Sequence, residues 1–504
     1  MSQPFLKFQQ VMFTYETAIS PLFQDVSVHI AIGWTGIVGA NGSGKTTFLK
    51  LATGLLTPDT GIVIAPQQMV YCPQLTDDQP EHLAVLLDDV SKTALLIKGQ
   101  LGVQAEWLER WLTLSYGERK RAQIAVALWL APEVLAIDEP TNHLDAEARA
   151  ILLNALRSYN GVGLLVSHDR ELLDTLCDQC VFIDPPRITV RRGGYSKGIA
   201  VAHEEHEAIR KQYNLKKMVY KKLKCEAVRR RALANQYQSK RSKKGIAKHD
   251  HDAKAKIDAA RISNKDVVGG KLLRQLDSRL DNAEEEIENI QVKKDYQMGI
   301  WLPGLVSKRN RLLNVAPQTL ALGGIKQLGI PQLVVRPTDR IALTGPNGAG
   351  KSTLLRWLLR QLNAPAEQIT YVPQEIDLRQ CRYILTQVQS MPHEELGHLM
   401  TIVSRLGSRP YRLLESDEPS PGEMRKLLLA LGMTRRPYII IMDEPTNHMD
   451  LPSIACLEAA LFECPCALLL VSHDRYFLEQ LTRLEWRLIR EPDAVEHFAL
   501  QIVS

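Results

Sequence analysis

The sequence contains one glycine-rich stretch twice, first as Gly39-Ala40-Asn41-Gly42-Ser43-Gly44-Lys45-Thr46 and again as Gly345-Pro346-Asn347-Gly348-Ala349-Gly350-Lys351-Ser352. Both copies match Gly-x4-Gly-Lys-[Ser/Thr], and they start 306 positions apart. Each copy follows an apolar run typical of a buried strand, Thr35–Val38 or Ile341–Thr344, and precedes a run typical of a helix. In that context the glycines let backbone amides surround phosphate oxygens, and the lysine reaches the β and γ phosphates. The repeat therefore predicts two sites for a nucleoside triphosphate.

Acidic and histidine motifs accompany each copy at a constant offset. Asp138-Glu139 and Asp443-Glu444 end apolar runs 305 positions apart, and His168 and His473 follow the next buried-strand runs at the same spacing. Such an aspartate holds the Mg²⁺ shell, the glutamate polarises the attacking water, and the histidine senses the γ-phosphate. We expect the catalytic residues to be Glu139, Glu444, His168 and His473. We expect the metal ligands to be Thr46, Gln74, Asp138, Ser352, Gln374 and Asp443.

Further motifs resemble those of a known family. Leu114-Ser115-Tyr116-Gly117-Glu118 is similar to the signature of ATP-binding cassette (ABC) ATPases, and Ser420-Pro421-Gly422-Glu423 is its second copy. The segments Glu139–Asp145 and Glu444–Asp450 resemble the soluble ABC-F subfamily. This resemblance implies an α/β fold: two P-loop NTPase cassettes joined by an α-helical antiparallel coiled-coil hairpin.

The resemblance also implies how the sites are built. Two cassettes of this family close head to tail within one monomer, so Lys45 would share a site with Ser420, and Lys351 with Ser115. Tyr15 occupies the position where the family stacks an aromatic ring on adenine. The expected ATP-binding residues are Tyr15, Gly39, Asn41, Gly42, Gly44, Lys45, Thr46, Thr47, Gln74, Ser115, Gly117, Gly345, Asn347, Gly348, Gly350, Lys351, Ser352, Thr353, Gln374, Ser420 and Gly422.

The second copy departs from the family pattern. Pro421 stands where the signature usually has glycine, and proline removes one backbone amide that would face the γ-phosphate. The stretch Leu322–Gly324 contains no aromatic residue to match Tyr15. We therefore predict two bound ATP molecules that are hydrolysed at unequal rates, the slower one beside Lys45.

Charge is distributed unevenly between the repeats. The chain carries a net charge of +5, but Arg210–Arg279 holds 22 Lys and Arg against 6 Asp and Glu, a net of +16 that leaves −11 for the rest. No proline occurs from Arg187 to Leu302, which favours long helices. A 3-4 spacing of apolar residues, with Leu276 and Leu280 at its centre, predicts a coiled-coil seam in the second helix. We expect a first cassette over 1–198, a basic helical hairpin with its tip near 236–268 over 199–294, and a second cassette over 295–504.

A net charge of +16 on one element indicates a polyanionic partner. The resemblance to ABC-F implies the ribosome, with the linker reaching from the tRNA exit site toward the peptidyl-transferase centre, near 23S rRNA and P-site tRNA. Such proteins are translation factors or antibiotic-resistance proteins that protect the ribosome. The expected RNA-binding residues are Lys240, Arg241, Lys243, Lys244, Lys248, Lys254, Lys256 and Arg261.

Other classes of protein fit less well. The ATPase subunit of an importer also has two cassettes but needs no basic hairpin, and the arms of DNA-maintenance ATPases are longer, so we expect no DNA partner. A protein that uses ATP only as a structural ligand would not need both Glu139 and Glu444. No apolar run is long enough for a membrane span, and no secretory signal is evident. Eight scattered cysteines favour reduced thiols, so we expect a cytoplasmic protein with ATP and Mg²⁺ as cofactors.

Overall fold

The structure of the 504-residue chain is a computed structural model, which describes residues 4–142, 144–240, 265–288, 304–323, 326–406, 420–447, 449–491 and 497–503. The chain divides into two compact units, one formed by Met1–Gly198 with Tyr296–Ser504 and the other by Ile199–Asp295. The first unit holds both nucleotide-binding repeats. The predicted limits 1–198, 199–294 and 295–504 remain predictions.

The first cassette is built on two sheets. A parallel sheet in the order β5-β6-β7-β3-β8-β9, antiparallel only between its last two strands, carries the glycine-rich loop, and a smaller antiparallel sheet has the order β2-β1-β4. The strands are β1 (Leu6–Phe13), β2 (Phe23–Ile30), β3 (Gly33–Gly39), β4 (Thr60–Ile64), β5 (Met69–Cys72), β6 (Val134–Asp138), β7 (Val162–Val166), β8 (Gln179–Asp184) and β9 (Arg187–Arg192). The helices are α1 (Lys45–Ala52), α2 (Leu83–Asp88), α3 (Lys92–Leu101), α4 (Tyr116–Trp129), α5 (Ala146–Leu156) and α6 (Arg170–Leu176).

The second cassette repeats the same core. Its main sheet has the order β11-β12-β19-β18-β14-β17-β16-β15, and its last six strands match the first cassette's parallel sheet strand for strand. The strands are β10 (Leu313–Val315), β11 (Gln318–Gly323), β12 (Lys326–Ile330), β13 (Leu333–Val335), β14 (Arg340–Thr344), β15 (Ile369–Val372), β16 (Ile439–Asp443), β17 (Ala467–Val471), β18 (Leu484–Arg490) and β19 (His497–Val503). The helices are α9 (Lys351–Gln361), α10 (Leu378–Gln389), α11 (His393–Arg405), α12 (Pro421–Thr434), α13 (Leu451–Phe462) and α14 (Arg475–Leu481).

The central strands are buried on both faces. Every residue of β6, β7, β16 and β17 is buried, as expected for parallel strands covered by helices on both sides. One apolar cluster contains buried residues of both cassettes, including Leu152 and Leu457. The predicted α/β fold of two cassettes with a helical insertion is confirmed.

Two long helices form the second unit. They are α7 (Tyr195–Lys240), which starts in the first unit, and α8 (Lys265–Glu288). Lys216 pairs with Glu286 at 3.3 Å and Arg231 with Asp277 at 2.6 Å, so the partner's number falls as the residue number rises along α7. The helices are therefore antiparallel, as the sequence predicted.

The apolar seam of the hairpin is only partly buried. Ala227 and Leu276 are buried, whereas Ile209, nearer the start of α7, is 40% exposed. Over its described length, α8 (Lys265–Glu288) includes the glycine pair at 269–270. A glycine within a helix costs only about 1 kcal/mol, so a long helix tolerates two of them.

Candidate functional site

The two glycine-rich loops connect a strand to a helix N-terminus, β3 to α1 and β14 to α9. Gly44 and Gly350 have φ values of +96° and +91°, which side chains with a Cβ rarely adopt, and a Cβ on either would meet Leu22 or Leu322. Both glycines precede their helices as N-caps. This backbone leaves the first amides of each helix without partners in the helix, which favours an anion there.

The side chain of each loop lysine hydrogen-bonds to the backbone of its own loop. Lys45 Nζ donates to the carbonyl oxygens of Gly39 and Ala40 at 3.0 and 3.1 Å. Lys351 Nζ makes the matching bonds to Gly345 and Pro346 at 2.8 and 3.1 Å. The ammonium groups are thus held beside the loops whose amides would bind a phosphate.

A hydroxyl and a carboxylate lie together at each strand end. Thr46 Oγ1 donates to Asp138 Oδ2 at 2.6 Å, and the hydroxyl of Tyr71 donates to the same oxygen at 3.3 Å. Ser352 makes the corresponding hydrogen bond to Asp443. Oxygen donors of this kind suit Mg²⁺, so both pairs are candidate metal ligands.

The two predicted catalytic glutamates are buried and hold an unusual backbone conformation. Glu139 and Glu444 have φ values of +46° and +49°, and their amides donate to the last residues of β7 and β17, Val166 and Val471. Burial raises the pKa of Glu139 to about 8, against the lowering effect of Lys45, and burial raises the pKa of Glu444 to about 7. Carboxyls with such pKa values can exchange protons near neutral pH, as a general base must.

Each predicted histidine contacts the glutamate of its own copy. His168 Nε2 lies 3.1 Å from Glu139 Oε1, and its amide donates to Oε2 at 3.3 Å. His473 Nε2 lies 3.4 Å from Glu444 Oε1 and 3.5 Å from Lys351 Nζ. Burial and the charges of Lys351 and Arg149 lower the pKa of His473 to about 3, which keeps its imidazole neutral. Because β6 and β7 are parallel neighbours, their carboxyl ends bring the acidic pair and the histidine together.

The structure combines residues of both cassettes in each cleft. A cleft of about 590 Å³ contains Lys45, Glu139 and Gln74 of the first cassette with Ser420 and Gly422 of the second. A second cleft of about 1010 Å³ contains Lys351, Glu444 and Gln374 of the second cassette with Ser115 and Gly117 of the first. These pairings are the ones that the resemblance implied. The cleft that contains Lys45 is called the first site, and the cleft that contains Lys351 is called the second site.

Other predicted residues lie in the same clefts. The first site is also lined by Tyr15, Asn41, Gly42, Gly44, Thr46, Thr47, Asp138 and His168. The second site is also lined by Asn347, Gly348, Gly350, Ser352, Thr353, Asp443 and His473. Gly39 and Gly345 contact the lysines through their carbonyl oxygens.

The two sites differ where a base would bind. The hydroxyl of Tyr15 hydrogen-bonds to Thr47 Oγ1 at 2.7 Å and its ring packs edge-on against Phe13, which fixes an exposed aromatic face beside the first site. Leu322 and Lys326 line the second site instead. Stacking of adenine on Tyr15 remains a prediction.

Proline at position 421 does not disturb the start of its helix. Ser420 caps α12 by accepting from the Glu423 amide at 3.3 Å, and Ser115 caps α4 through Glu118 in the same way. Proline fits the first turn of a helix because the amide it lacks makes no helical bond there. What the first site lacks is therefore an amide donor, while the helix start keeps its form.

Contacts across the two cassettes involve two aspartates to which the sequence analysis assigned no role of their own. The amide of Asn41 donates to Asp450 Oδ2 at 2.7 Å, and that of Asn347 to Asp145 Oδ2 at 3.5 Å. Asp145 and Asp450 are the last residues of the two acidic motifs and stand 305 positions apart. This repetition was the signal in the sequence that could have identified them.

A buried cation under each glutamine loop was also missed. Lys120 Nζ donates to the carbonyl oxygens of Pro73 and Asp138 at 2.6 and 3.2 Å, and burial lowers its pKa to about 8. Arg425 donates to the carbonyl oxygens of Gln374 and Asn447. Each cation stands five positions after the signature serine, which was the signal in the sequence.

The side chains of the predicted RNA-binding residues lie outside the described part of the chain. Lys240 is the last described residue of α7, and its side chain lies outside the described residues. The others, Arg241, Lys243, Lys244, Lys248, Lys254, Lys256 and Arg261, also lie outside them. Among the described ranges, no group of three or more His, Cys, Asp or Glu residues is arranged to hold a metal ion by itself. No described helix is long and apolar enough to cross a membrane.

Comparisons with known proteins agree with this architecture. The family model described as "ABC transporter" matches residues 23–142 and 328–447. The ribosome protection protein VmlR of Bacillus subtilis is 28% identical, over 93% of this chain and 84% of its own length. The tylosin resistance ATP-binding protein TlrC of Streptomyces fradiae is 28% identical, over 92% and 93%. The probable ATP-binding protein YheS of Escherichia coli K12 is 29% identical, over 89% and 73%.

A solved structure has the same fold. The archaeal ribosome recycling factor aABCE1, in complex with the ribosomal stalk protein aP1, aligns with a TM-score of 0.62 at 18% identity, over 97% of this chain and 89% of that one. At this identity the likeness concerns the fold alone. The duplicated cassettes, the motifs that they bring together and the matched relatives lead to one assignment: the chain is an ATPase of the ABC-F subfamily of ATP-binding cassette proteins.

Proposed function

We propose that the protein binds two ATP molecules with Mg²⁺ and uses their hydrolysis to control its binding to the ribosome. The support for the ATP part is the pair of clefts, each of which brings a phosphate loop of one cassette to a signature serine of the other. Thr46 with Asp138 and Ser352 with Asp443 would hold Mg²⁺, which screens the phosphate charge when bound. Glu139 and Glu444 would accept the proton of the attacking water, and the two histidines would hold these glutamates in place.

The ribosome part rests on one main observation. Within the hairpin, the segment Arg210–Arg279 carries a net charge of +16, whereas the rest of the chain carries −11. This uneven distribution favours an RNA-binding element that is separate from the ATPase. The names of two relatives, a ribosome protection protein and a tylosin resistance protein, favour the same partner. We infer that the protein enters the tRNA exit site, that its hairpin tip acts near the peptidyl-transferase centre and P-site tRNA, and that it works in the cytoplasm as a monomer.

Ribosome co-sedimentation tests this proposal. The double variant Glu139→Gln, Glu444→Gln should bind ATP without hydrolysing it and should pellet with ribosomes when ATP is present. The same variant without ATP should remain largely in the supernatant. A double variant that stays unbound with ATP would remove the ribosome from the proposal, while its ATPase assignment would stand.

Charge variants test the role of the hairpin. Replacing three tip lysines with Gln should flatten the salt dependence of ribosome binding by about 2 to 3 decades of affinity per decade of salt, if each lysine neutralises one phosphate. ATP hydrolysis away from the ribosome should stay unchanged. The tip variant is Lys243→Gln, Lys244→Gln, Lys248→Gln, and the matched control, with the same charge change outside the hairpin, is Lys7→Gln, Lys92→Gln, Lys308→Gln. Equal effects of the two triple variants would contradict a special role for the hairpin.

The biological role is a translation factor or an antibiotic-resistance protein. Drug protection is favoured by the two resistance-related names among the relatives. Expression in a susceptible host, followed by growth against a panel of drugs that bind the peptidyl-transferase centre or the exit tunnel, separates the two roles. Resistance that disappears in the Glu139→Gln, Glu444→Gln variant would establish protection, and unchanged susceptibility to every drug would favour a translation factor.

A further inference from the structure

A charged cluster joins the two cassettes away from the phosphate loops. At its centre is Arg149, on the first turn of α5. Its Nη1 donates to the carbonyl oxygen of His473 at 3.0 Å and lies 3.3 Å from Asp169 Oδ2, and its Nε donates to the carbonyl oxygen of Leu144 at 3.2 Å. One guanidinium thus contacts three loops, and His473 belongs to the opposite cassette.

A second arginine completes the cluster. Arg170 Nη1 donates to Glu458 Oε2 at 3.1 Å, and Arg170 Nη2 lies 3.7 Å from Asp474 Oδ2. The side chains of Arg170, Glu458 and Asp474 are each about 14% exposed. Charges with so little exposure are screened weakly by salt, and removing one partner leaves the other buried without compensation.

The three loops that Arg149 contacts all lead to ATP sites. Asp169 follows His168 of the first site directly and caps α6 by accepting from the Leu172 amide at 3.0 Å. Leu144 precedes Asp145, which accepts from the phosphate loop of the second site. His473 belongs to the second site, where its amide donates to Glu444 Oε2 at 3.3 Å. Arg149 therefore connects the histidine loops of both sites.

The position that corresponds to Arg149 in the second cassette holds a different kind of residue. With the offset of 305 positions that relates the cassettes, Arg149 corresponds to Ile454, which is buried and has no hydrogen-bond donor in its side chain. Glu458 corresponds in the same way to Leu153. At this position, the second cassette therefore has no guanidinium that could contact the first site as Arg149 contacts the second.

We propose that Arg149 is a positioning residue that holds His473, and through it Glu444, in the second site from the opposite cassette. The Arg149 guanidinium fixes the carbonyl group of His473. The amide and the ring of His473 in turn contact Glu444, the glutamate that activates water. Because Asp169 shares this guanidinium, a movement of the His473 loop during hydrolysis would be passed to the histidine loop of the first site. This inference rests on the assignment of the two ATP sites in the proposed function.

Single-site ATPases test the role of Arg149. Glu139→Gln leaves only the second site active, and Glu444→Gln leaves only the first. In the Glu139→Gln protein, Arg149→Ile should lower kcat at least tenfold while KM for ATP changes less than about twofold, since Arg149 lines neither phosphate loop. In the Glu444→Gln protein, the same substitution should change kcat less than about threefold.

Three further variants separate positioning from a general structural role. Arg149→Lys should restore kcat of the second site to within about threefold, because a lysine can reach one of the carbonyl oxygens. Arg149→Gln serves as a second test if Arg149→Ile lowers the melting temperature. Arg475→Met, which removes an exposed ion pair to Glu171 at 3.9 Å across the same two cassettes, is the matched control and should leave both sites unaffected.

Several outcomes would overturn the inference. An unchanged kcat of the second site, an equal loss at both sites, or an increase in KM without a change in kcat would each show that Arg149 does not position His473. Failure of the underlying site assignment has a different signature. If the Glu139→Gln, Glu444→Gln double variant keeps its ATPase activity, the assignment of the catalytic glutamates is wrong regardless of Arg149.

Discussion

The two ATP sites should respond differently to pH. Each catalytic glutamate must lose its proton to act as a base, and a raised pKa means that the carboxylate is present only above that pH. Glu139 is surrounded by Lys45, Asp138, Lys120 and His168, and burial raises its pKa to about 8. Hydrolysis at the first site should therefore fall as the pH drops below about 8.

Glu444 should stay active at lower pH. It is surrounded by Lys351, Asp443, Arg149 and His473, and burial raises its pKa only to about 7. At pH 7 a carboxyl of pKa about 8 is roughly 10% ionised and one of pKa about 7 roughly 50%, a ratio of about five. At pH 9 the two fractions are about 90% and 99%, so this ratio falls to about 1.1.

The assay is steady-state ATP hydrolysis of the two single-site variants between pH 6 and 9.5. Glu139→Gln, which reports the second site, should show a midpoint about one pH unit below that of Glu444→Gln. The double variant supplies the background rate, and thermal melting at each pH confirms that both proteins remain folded. Superimposed profiles, or midpoints in the opposite order, would refute the link between burial of these glutamates and their action as bases.

Three further substitutions test individual contacts. Pro421→Ala restores an amide at the first site, so in the Glu444→Gln protein it should raise kcat about two- to fivefold; no change would show that the missing amide does not limit hydrolysis. In the same protein, Tyr15→Ala removes the exposed ring and should raise KM for ATP about five- to thirteenfold, as the loss of about 1–1.5 kcal/mol of stacking requires. Lys120→Met leaves two buried carbonyl oxygens without a donor and should lower the free energy of unfolding by about 2–4 kcal/mol in thermal melts, whereas Lys120→Arg should lose less.

Much of the fold could be predicted because its motifs are local. A glycine-rich loop needs a strand before it and a helix after it, so Lys45 and Lys351 located β3, α1, β14 and α9. The acidic motifs located β6 and β16 in the same way, since apolar runs that end in Asp-Glu are typical of buried parallel strands. Each of these motifs recurs in the second cassette about 305 positions later, so each predicted strand or helix was supported by two copies of its motif.

The contacts between the cassettes could not be predicted with the same ease. Arg149 lies on a helix with ordinary composition, and its partner His473 is 324 positions away, so no local pattern relates them. The difference between Arg149 and Ile454 is visible in the sequence. Its functional consequence could not be inferred, because that depends on which loops the Arg149 guanidinium contacts. Lys120 shows the same limit, because a lysine on a helix is usually exposed and only the packing of α4 buries it.

Pairing of the cassettes within each ATP site is most directly tested by placing arginine at the signature serines. In the Glu444→Gln protein, where only the first site is active, Ser420→Arg would fill that cleft from the opposite cassette, so hydrolysis should fall at least about a hundredfold. Ser115→Arg in the same protein lies in the other cleft and should leave the rate within about threefold. The reverse pattern, with loss on Ser115→Arg and activity on Ser420→Arg, would contradict two ATP sites that are each shared between the cassettes.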